Sequence, residues 1–277
     1  MAGAVLKLSL SYDGSDFAGS QVQPGQRTVQ AELDRALERL AGAPVTTVFA
    51  GRTDTGVHAA GQVVSLLDPR PTMAERDWLL ALNAHLPEDV AVVAVQRERD
   101  GFHARYDAKW REYRYRIWSG PSQPLVRRFT WQVRGELDAG ALDAGARVLL
   151  GERDLAAVAG GGEGVPWSDR REAPRGTVRR ITRCSAKRIE PWWGTADAGT
   201  LVEVRIVADG FLPRMVRNVV ALLVEVGQGK QPVEWIDRVL ATRDRRFGGG
   251  TAPPHGLTLW RVGYGTEEPE PDPAHAE

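Results

Sequence analysis

The chain has 277 residues, 42% of them hydrophobic, enough for a large core and more than one domain. A single cysteine, Cys184, excludes a disulfide framework and any cysteine-based zinc or iron–sulfur cage. Lys plus Arg equals Asp plus Glu at 36 each, so net charge points to no partner. No apolar run approaches the ~18 residues of a membrane span and the N-terminus lacks a signal-peptide pattern, which predicts a cytoplasmic protein.

In chain order, Leu6, Leu8 and Leu10 alternate with Lys7 and Ser9, the pattern of a half-buried opening strand. A helix follows, with Val29, Leu33, Ala36, Leu37 and Leu40 on one stripe, Thr28 as N-cap and Gly42 past its end. The β-branched and aromatic run Val45 to Phe49 and the run Gln62 to Leu67 predict two strands around the segment Gly51 to Ala59. A helix near residues 74 to 85 and a strand from Val90 to Val95 complete the first half. Arg111 to Trp118 predicts a strand with Tyr113, Tyr115 and Ile117 on one face and Arg114 and Arg116 on the other. Then come a helix over Leu137 to Leu150, strands over Val178 to Ile189 and Leu201 to Ala208, a helix over Pro213 to Val226, another starting at Pro232, and a closing strand from Leu257 to Val262. On the Pro213 helix, Met215, Val219, Leu222, Leu223 and Val226 form the buried stripe, and Arg214, Arg217 and Asn218 lie on the opposite side.

This order predicts an α+β protein: two similar halves with antiparallel or mixed sheets, of ferredoxin or RRM-like type, with helices on one face. The expected division is an N-terminal domain over residues 1–105, a C-terminal domain over 106–265 and a disordered acidic tail over 266–277. The Gly-, Pro- and Arg-rich stretch 159–176 reads as a long loop, functional or disordered. Residues 97–134 hold ten Arg or Lys against four acids, and residues 170–188 hold eight against one. Clustered arginine beside aromatics is the footprint of a phosphate-binding surface, with a solvated charged face as the plainer reading.

The most informative segment is Gly51-Arg52-Thr53-Asp54-Thr55-Gly56-Val57-His58-Ala59. It places an acid on a tight turn between an arginine and a histidine, at the end of a strand. Glycines bracket the acid where the backbone turns. The plainer reading is an Asx-turn in which Asp54 bonds its own backbone. The five histidines (58, 85, 103, 255 and 275) show no zinc spacing, and no Gly-Xaa-Ser-Xaa-Gly elbow exists, so neither a metal nor a serine nucleophile is expected. Asp54-Thr55-Gly56 also matches the Asp-Thr-Gly of aspartic proteases, which need two such carboxylates sharing a proton. This chain has one copy, and Arg52 favours an ionised acid rather than a shared proton.

The extended segment Gly51 to Ala59, followed by Gly61-Gln62-Val63-Val64, resembles the signature of the TruA-type tRNA pseudouridine synthases. Further matches fall in the family's order: Tyr12-Asp13-Gly14, Thr28-Val29-Gln30 with Glu32, Asn83 with Leu86-Pro87, Phe102-His103-Ala104-Arg105, Tyr113-Arg114-Tyr115, Met215-Val216-Arg217-Asn218 and Gly256-Leu257. The resemblance spans about residues 5 to 264 and implies isomerisation of uridine to pseudouridine in the anticodon stem-loop of tRNA, without cofactor, by a homodimer. It implies Asp54 as nucleophile, in a cleft between the two halves. Covalent capture and a glycal-type path both stay open.

By the same resemblance Tyr113 is the active-site tyrosine that stacks on uracil, with core packing against Ile117 as the plainer reading. Arg217 is the cation that keeps Asp54 ionised, and Leu257 an apolar wall near the base. Arg52, beside the acid, fills the space left by the extracted uridine or holds a phosphate, with a structural salt bridge as the alternative. His58 contacts RNA or fixes the turn. His103 reads as structural and Tyr115 as core. One departure stands out: where the family usually has Trp after Phe17-Ala18-Gly19, this chain has Ser20. A non-catalytic RNA-binding protein and an aspartic-protease-like hydrolase are the rival readings.

Overall fold

The computed structural model describes residues 4–160, 176–193, 199–266 and 269. The Arg-rich residues 161–175 and the acidic tail, apart from Thr266 and Pro269, lie outside them. The chain forms two compact units, one of residues 1–111 with 258–277 and the other of residues 112–257.

In the first unit, strand β1 (Val5–Tyr12) pairs antiparallel with β3 (His58–Leu67) on one side and β4 (Val90–Glu98) on the other. The alternation read in the sequence puts Leu6, Leu8 and Leu10 fully out of solvent. Helix α1 (Val29–Ala41) begins and ends where its caps dictate. Thr28 accepts a hydrogen bond from the Ala31 N–H, and Gly42 takes φ 78, closing the helix in the left-handed conformation. Helix α2 (Glu75–His85) packs against β4. The strand expected over Val45 to Phe49 shrinks to β2 (Val48–Phe49), paired with β3, and β3 starts at His58 rather than Gln62.

The final strand, β10 (Leu257–Tyr264), was expected in the second half. From Thr258 onward it belongs to the first unit, where it runs parallel to β3 with Thr258 opposite His58 and Leu259 opposite Ala59. Hydrophobic alternation specifies a strand but not its neighbour, and a parallel partner two hundred residues away leaves no local signal.

The second unit contains most of β5 (Ala108–Ser119), followed by β6 (Trp131–Val133), α3 (Ala139–Val148), β7 (Gly151–Asp154), β8 (Val178–Ile189), β9 (Thr200–Ala208), α4 (Met215–Gly227) and α5 (Trp235–Thr242). Its strand order is β5-β9-β8-β7, with β6 parallel to β5. The two short strands β6 and β7 were not expected; β7 reads Gly-Glu-Arg-Asp, with no apolar alternation to reveal it. Helix α3 packs on β8 and on α4, and its N-terminus is capped by Asp138, which accepts from the N–H groups of Gly140 and Ala141. Antiparallel and parallel pairings together with the helices make this a mixed α+β architecture.

Candidate active site

The loop that carries Asp54 leaves β2 at Ala50 and enters β3 at His58. The Val57 N–H donates to the Asp54 carbonyl (3.1 Å) and closes a four-residue turn with Gly56 at φ 77, a conformation that suits glycine in the third position. Thr55 at its tip is exposed, Asp54 half-buried and Thr53 buried. Arg52 is exposed and makes no ion pair among the described residues, so the structural salt bridge considered for it is not what holds it.

Everything around Thr53 is clamped. The Tyr12 hydroxyl lies 2.8 Å from the Thr53 hydroxyl, in full burial. The Ser20 hydroxyl accepts from the Thr53 N–H (2.9 Å), and the Ser20 N–H donates to the Thr53 carbonyl (3.1 Å). Gln62 donates to the Gly51 carbonyl (2.8 Å) and approaches the Tyr12 hydroxyl at 3.5 Å. Either hydroxyl can be the donor between Tyr12 and Thr53, and the Gln62 amide donates to the phenol oxygen. Burial pushes the Tyr12 phenol up to about 12, so it stays protonated throughout the neutral range.

On the far side of the turn, Gly14 presses against Val57 so closely that a Cβ there would sit 2.0 Å from the Val57 carbonyl oxygen. The Gly14 N–H donates to His58 Nδ1 (3.0 Å), and the Asp13 carboxylate lies 3.1 Å from the same nitrogen. His58 is 3% exposed, which places its ring inside the loop's support. Helix α1 joins in through its first turn, where Gln30 N–H donates to the Ser20 carbonyl (2.9 Å). The segments around Tyr12, Gly19 and Gly51 thus form one interlocked cradle, which the first turn of α1 meets at Gly19 and Ser20.

In the second unit, Tyr113 is 8% exposed and meets Phe211 edge to face, centroids 4.8 Å apart. Its neighbour Tyr115 is fully buried, donates to the Pro253 carbonyl (2.8 Å) and packs edge to face on Trp131; burial drives its phenol well above the ordinary value, against the opposing pull of the Arg217 charge. Tyr115 is therefore core. Arg217 donates through Nε to the Ala252 carbonyl (2.7 Å) and is half-buried. Leu257 is 5% exposed and follows Gly256, which the Tyr115 ring approaches so nearly that a Cβ would lie 2.6 Å from it. Arg52, Asp54 and His58 thus share one loop of the first unit, and Tyr113, Arg217 and Leu257 belong to the second.

A model of the tRNA pseudouridine synthase family matches residues 9–107 and 146–265. The chain belongs to this family. It is 42% identical to the tRNA pseudouridine synthase A of Shouchella clausii (strain KSM-K16) over 258 residues, covering 92% of each chain. It is 40% identical to the tRNA pseudouridine synthase A of Geobacillus kaustophilus (strain HTA426), covering 95% of each, and 40% identical to that of Nitratidesulfovibrio vulgaris (strain DSM 19637 / Miyazaki F), covering 94% of this chain and all of the relative. Membership makes the protein an isomerase and removes the aspartic-protease reading of Asp54-Thr55-Gly56.

Two expectations change within this synthase fold. Asn218 was placed with Arg214 and Arg217 on the side of α4 opposite its buried stripe, yet it is fully buried. Its amide donates to the Val158 carbonyl (2.8 Å), and its oxygen accepts from Thr251 (2.7 Å) and Arg245 (3.1 Å). A polar residue on a helix is as buried as its partners allow, and these come from two stretches distant in sequence, at Val158 and over residues 245–251. The basic run 97–134 is likewise not a uniform cationic face. Arg97 is paired with Asp68, Arg99 with Asp107, Arg114 with Glu112 and Glu203, and Arg116 with Glu203. Arg105, Lys109, Arg127, Arg128 and Arg134 of that run are exposed.

The residues that sequence reading missed are the supports. Tyr12 and Gln62 sat inside recognised segments without a role, and Ser20 registered only as a departure. The one available signal was that these segments all precede or follow the acid in the same half of the chain.

Proposed function

We propose that this protein converts uridine to pseudouridine in the anticodon stem-loop of tRNA, with the Asp54 carboxylate as nucleophile and no cofactor. The observation that carries the reading is the Asp54 turn itself: an acid on a short, clamped loop, in a chain whose family isomerises uridine in tRNA. The reaction breaks a glycosidic bond and remakes it through carbon, so the freed base must be held and recaptured rather than replaced by water. Glycosidases employ two carboxylates to protonate a leaving group and activate water. A synthase that excludes water needs only one acid in the role of nucleophile.

A paired, stacked uridine has to leave the helix first, at a cost of roughly a few kcal/mol. Arg52, exposed beside the acid, is suited to occupy the vacated space or to hold a phosphate. In this reading Tyr113 stacks on the uracil, Arg217 supplies the positive charge that keeps Asp54 ionised, and Leu257 forms the apolar wall. For His58 the burial and the Gly14 bond favour fixing the turn over touching RNA. We place the protein in the cytoplasm as a homodimer bridged by tRNA, by analogy with the family. Among the described residues no helix is long and apolar enough to cross a membrane.

The test is pseudouridine formation in an unmodified tRNA transcript by wild type and Asp54→Asn. Loss of at least about 10³-fold in turnover is expected, with tRNA affinity retained. Undiminished turnover in the variant would sink the assignment of the nucleophile. A chain that binds tRNA but shows no wild-type isomerisation would instead favour the plain RNA-binding reading.

A further inference from the structure

We infer that Ser20 is a positioning residue for the Asp54 carboxylate, an inference that rests on the reading of Asp54 as nucleophile. Ser20 is completely buried. Its hydroxyl accepts from the Thr53 N–H (2.9 Å) and its own N–H donates to the Thr53 carbonyl (3.1 Å), so it fixes the peptide planes on both sides of Thr53. The second of those planes contains the Asp54 nitrogen. Gly19 permits this approach: it takes φ 93, and a Cβ there would lie 2.9 Å from the Thr53 carbonyl oxygen.

Of the two bonds, the backbone one survives any side chain at position 20 except proline, and the hydroxyl one needs a side-chain acceptor. The tryptophan that the family resemblance leads one to expect there carries only an indole N–H, a donor, and cannot accept from Thr53. At position 20, then, a side-chain acceptor stands where the resemblance leads one to expect bulk. Without it the Thr53 N–H is left buried and unpaired, and the loop relieves that by shifting or by admitting water. Either response moves the carboxylate relative to the sugar. Attack geometry is sensitive to displacements of a fraction of an ångström, whereas tRNA affinity is spread over many phosphate contacts.

The experiment compares Ser20→Ala and Ser20→Cys in the full chain, following pseudouridine formation on an unmodified tRNA transcript, with thermal unfolding as the control for folding. Ser20→Ala is expected to lower kcat roughly tenfold or more with KM within about twofold of wild type. Ser20→Cys, nearly the same size with a weakly accepting sulfur, should recover part of the loss. Wild-type kcat in Ser20→Ala, a change confined to KM, or equal losses in Ala and Cys would each overturn the positioning role. Asp54→Asn run alongside separates the two levels: an inactive Asp54→Asn with a fully active Ser20→Ala overturns only the positioning, while an active Asp54→Asn overturns the nucleophile and the positioning together.

Discussion

The loop of Asp54 and the β5–β9 pair both take polar groups out of water, by opposite means. Around Thr53 the partners are neutral: the Ser20 hydroxyl, the Tyr12 phenol and backbone, with the Gln62 carboxamide on the Gly51 carbonyl nearby. On β5 and β9 they are ions. Glu112, with its side chain 2% exposed, accepts two bonds from Arg205 (3.0 Å each) and one from Arg114 (2.8 Å), and Glu203 holds Arg116 at 3.1 Å. These neutral clamps hold the backbone on both sides of Thr53, and on the far side of the turn the Asp13 carboxylate stands against His58. Ion pairs tie two strands together where no charge has to react, but each ion depends on its partner for solvation.

The sharpest way to break that contrast is to remove one ion. Glu112→Ala leaves Arg205, 7% exposed at its side chain, and Arg114 without their shared carboxylate. Breaking a buried pair from one side costs about 3–5 kcal/mol, and denaturant unfolding should show a loss of that size. A loss below about 1 kcal/mol would mean that water already reaches these strands and that the ion pairs do not bind them.

On the neutral side the corresponding strike is steric. Gly14→Ala drives a methyl to 2.0 Å from the Val57 carbonyl, backbone against backbone, so the turn itself must move. The expected cost is about 3 kcal/mol in unfolding, with turnover falling more steeply than stability alone explains. Turnover that tracks the folded fraction at each temperature would contradict the idea that the cradle sets the acid's position.

How much of this could be read in advance follows from distance along the chain. Thr28, Gly42 and Gly56 act through their neighbours within four residues, and their roles are visible in the sequence. Asp54 was legible as an acid on a turn for the same reason. The Ser20–Thr53 clamp joins residues 33 apart, and the Glu112–Arg205 pair joins residues 93 apart. Nothing local marks either, so the alternation that put Arg114 and Arg116 on one face of the strand did not show the acids they meet. Asn218 looked exposed because a helical wheel knows the helix but not the loops that cover it. The parallel placement of β10 beside β3 was hidden similarly, since strand order is a property of topology and not of periodicity.

A gentler probe of the neutral clamp uses pH. The Tyr12 phenol ionises near 10 in an unfolded chain and near 12 in the folded one, chiefly because burial penalises the phenolate. Its folded pKa is raised, so the stability it contributes is whole below pH 10 and declines between about 10 and 12, by about 1.4 kcal/mol per pH unit. Tyr12→Phe should cost about 1–2 kcal/mol at neutral pH, through the lost bond to Thr53, and should flatten the decline above pH 10. The same alkaline slope in wild type and variant would assign the decline to other buried groups, such as the Cys184 thiol, which burial also pushes up.

The smallest effect tests where the cradle ends. Thr28→Ala removes the hydroxyl that accepts from Ala31, a loss of about 1 kcal/mol in helix stability. The first turn of α1 reaches the loop through the Gln30 bond to the Ser20 carbonyl, while Val29 donates to Gly19 at 3.3 Å. These are backbone donors that the cap does not hold directly. Thr28→Ala should therefore lower the midpoint of thermal unfolding by a few degrees and leave kcat at the wild-type value below that temperature. A fall in kcat with the protein fully folded would extend the acid's support into the helix and make the cap part of the active loop rather than of the fold alone.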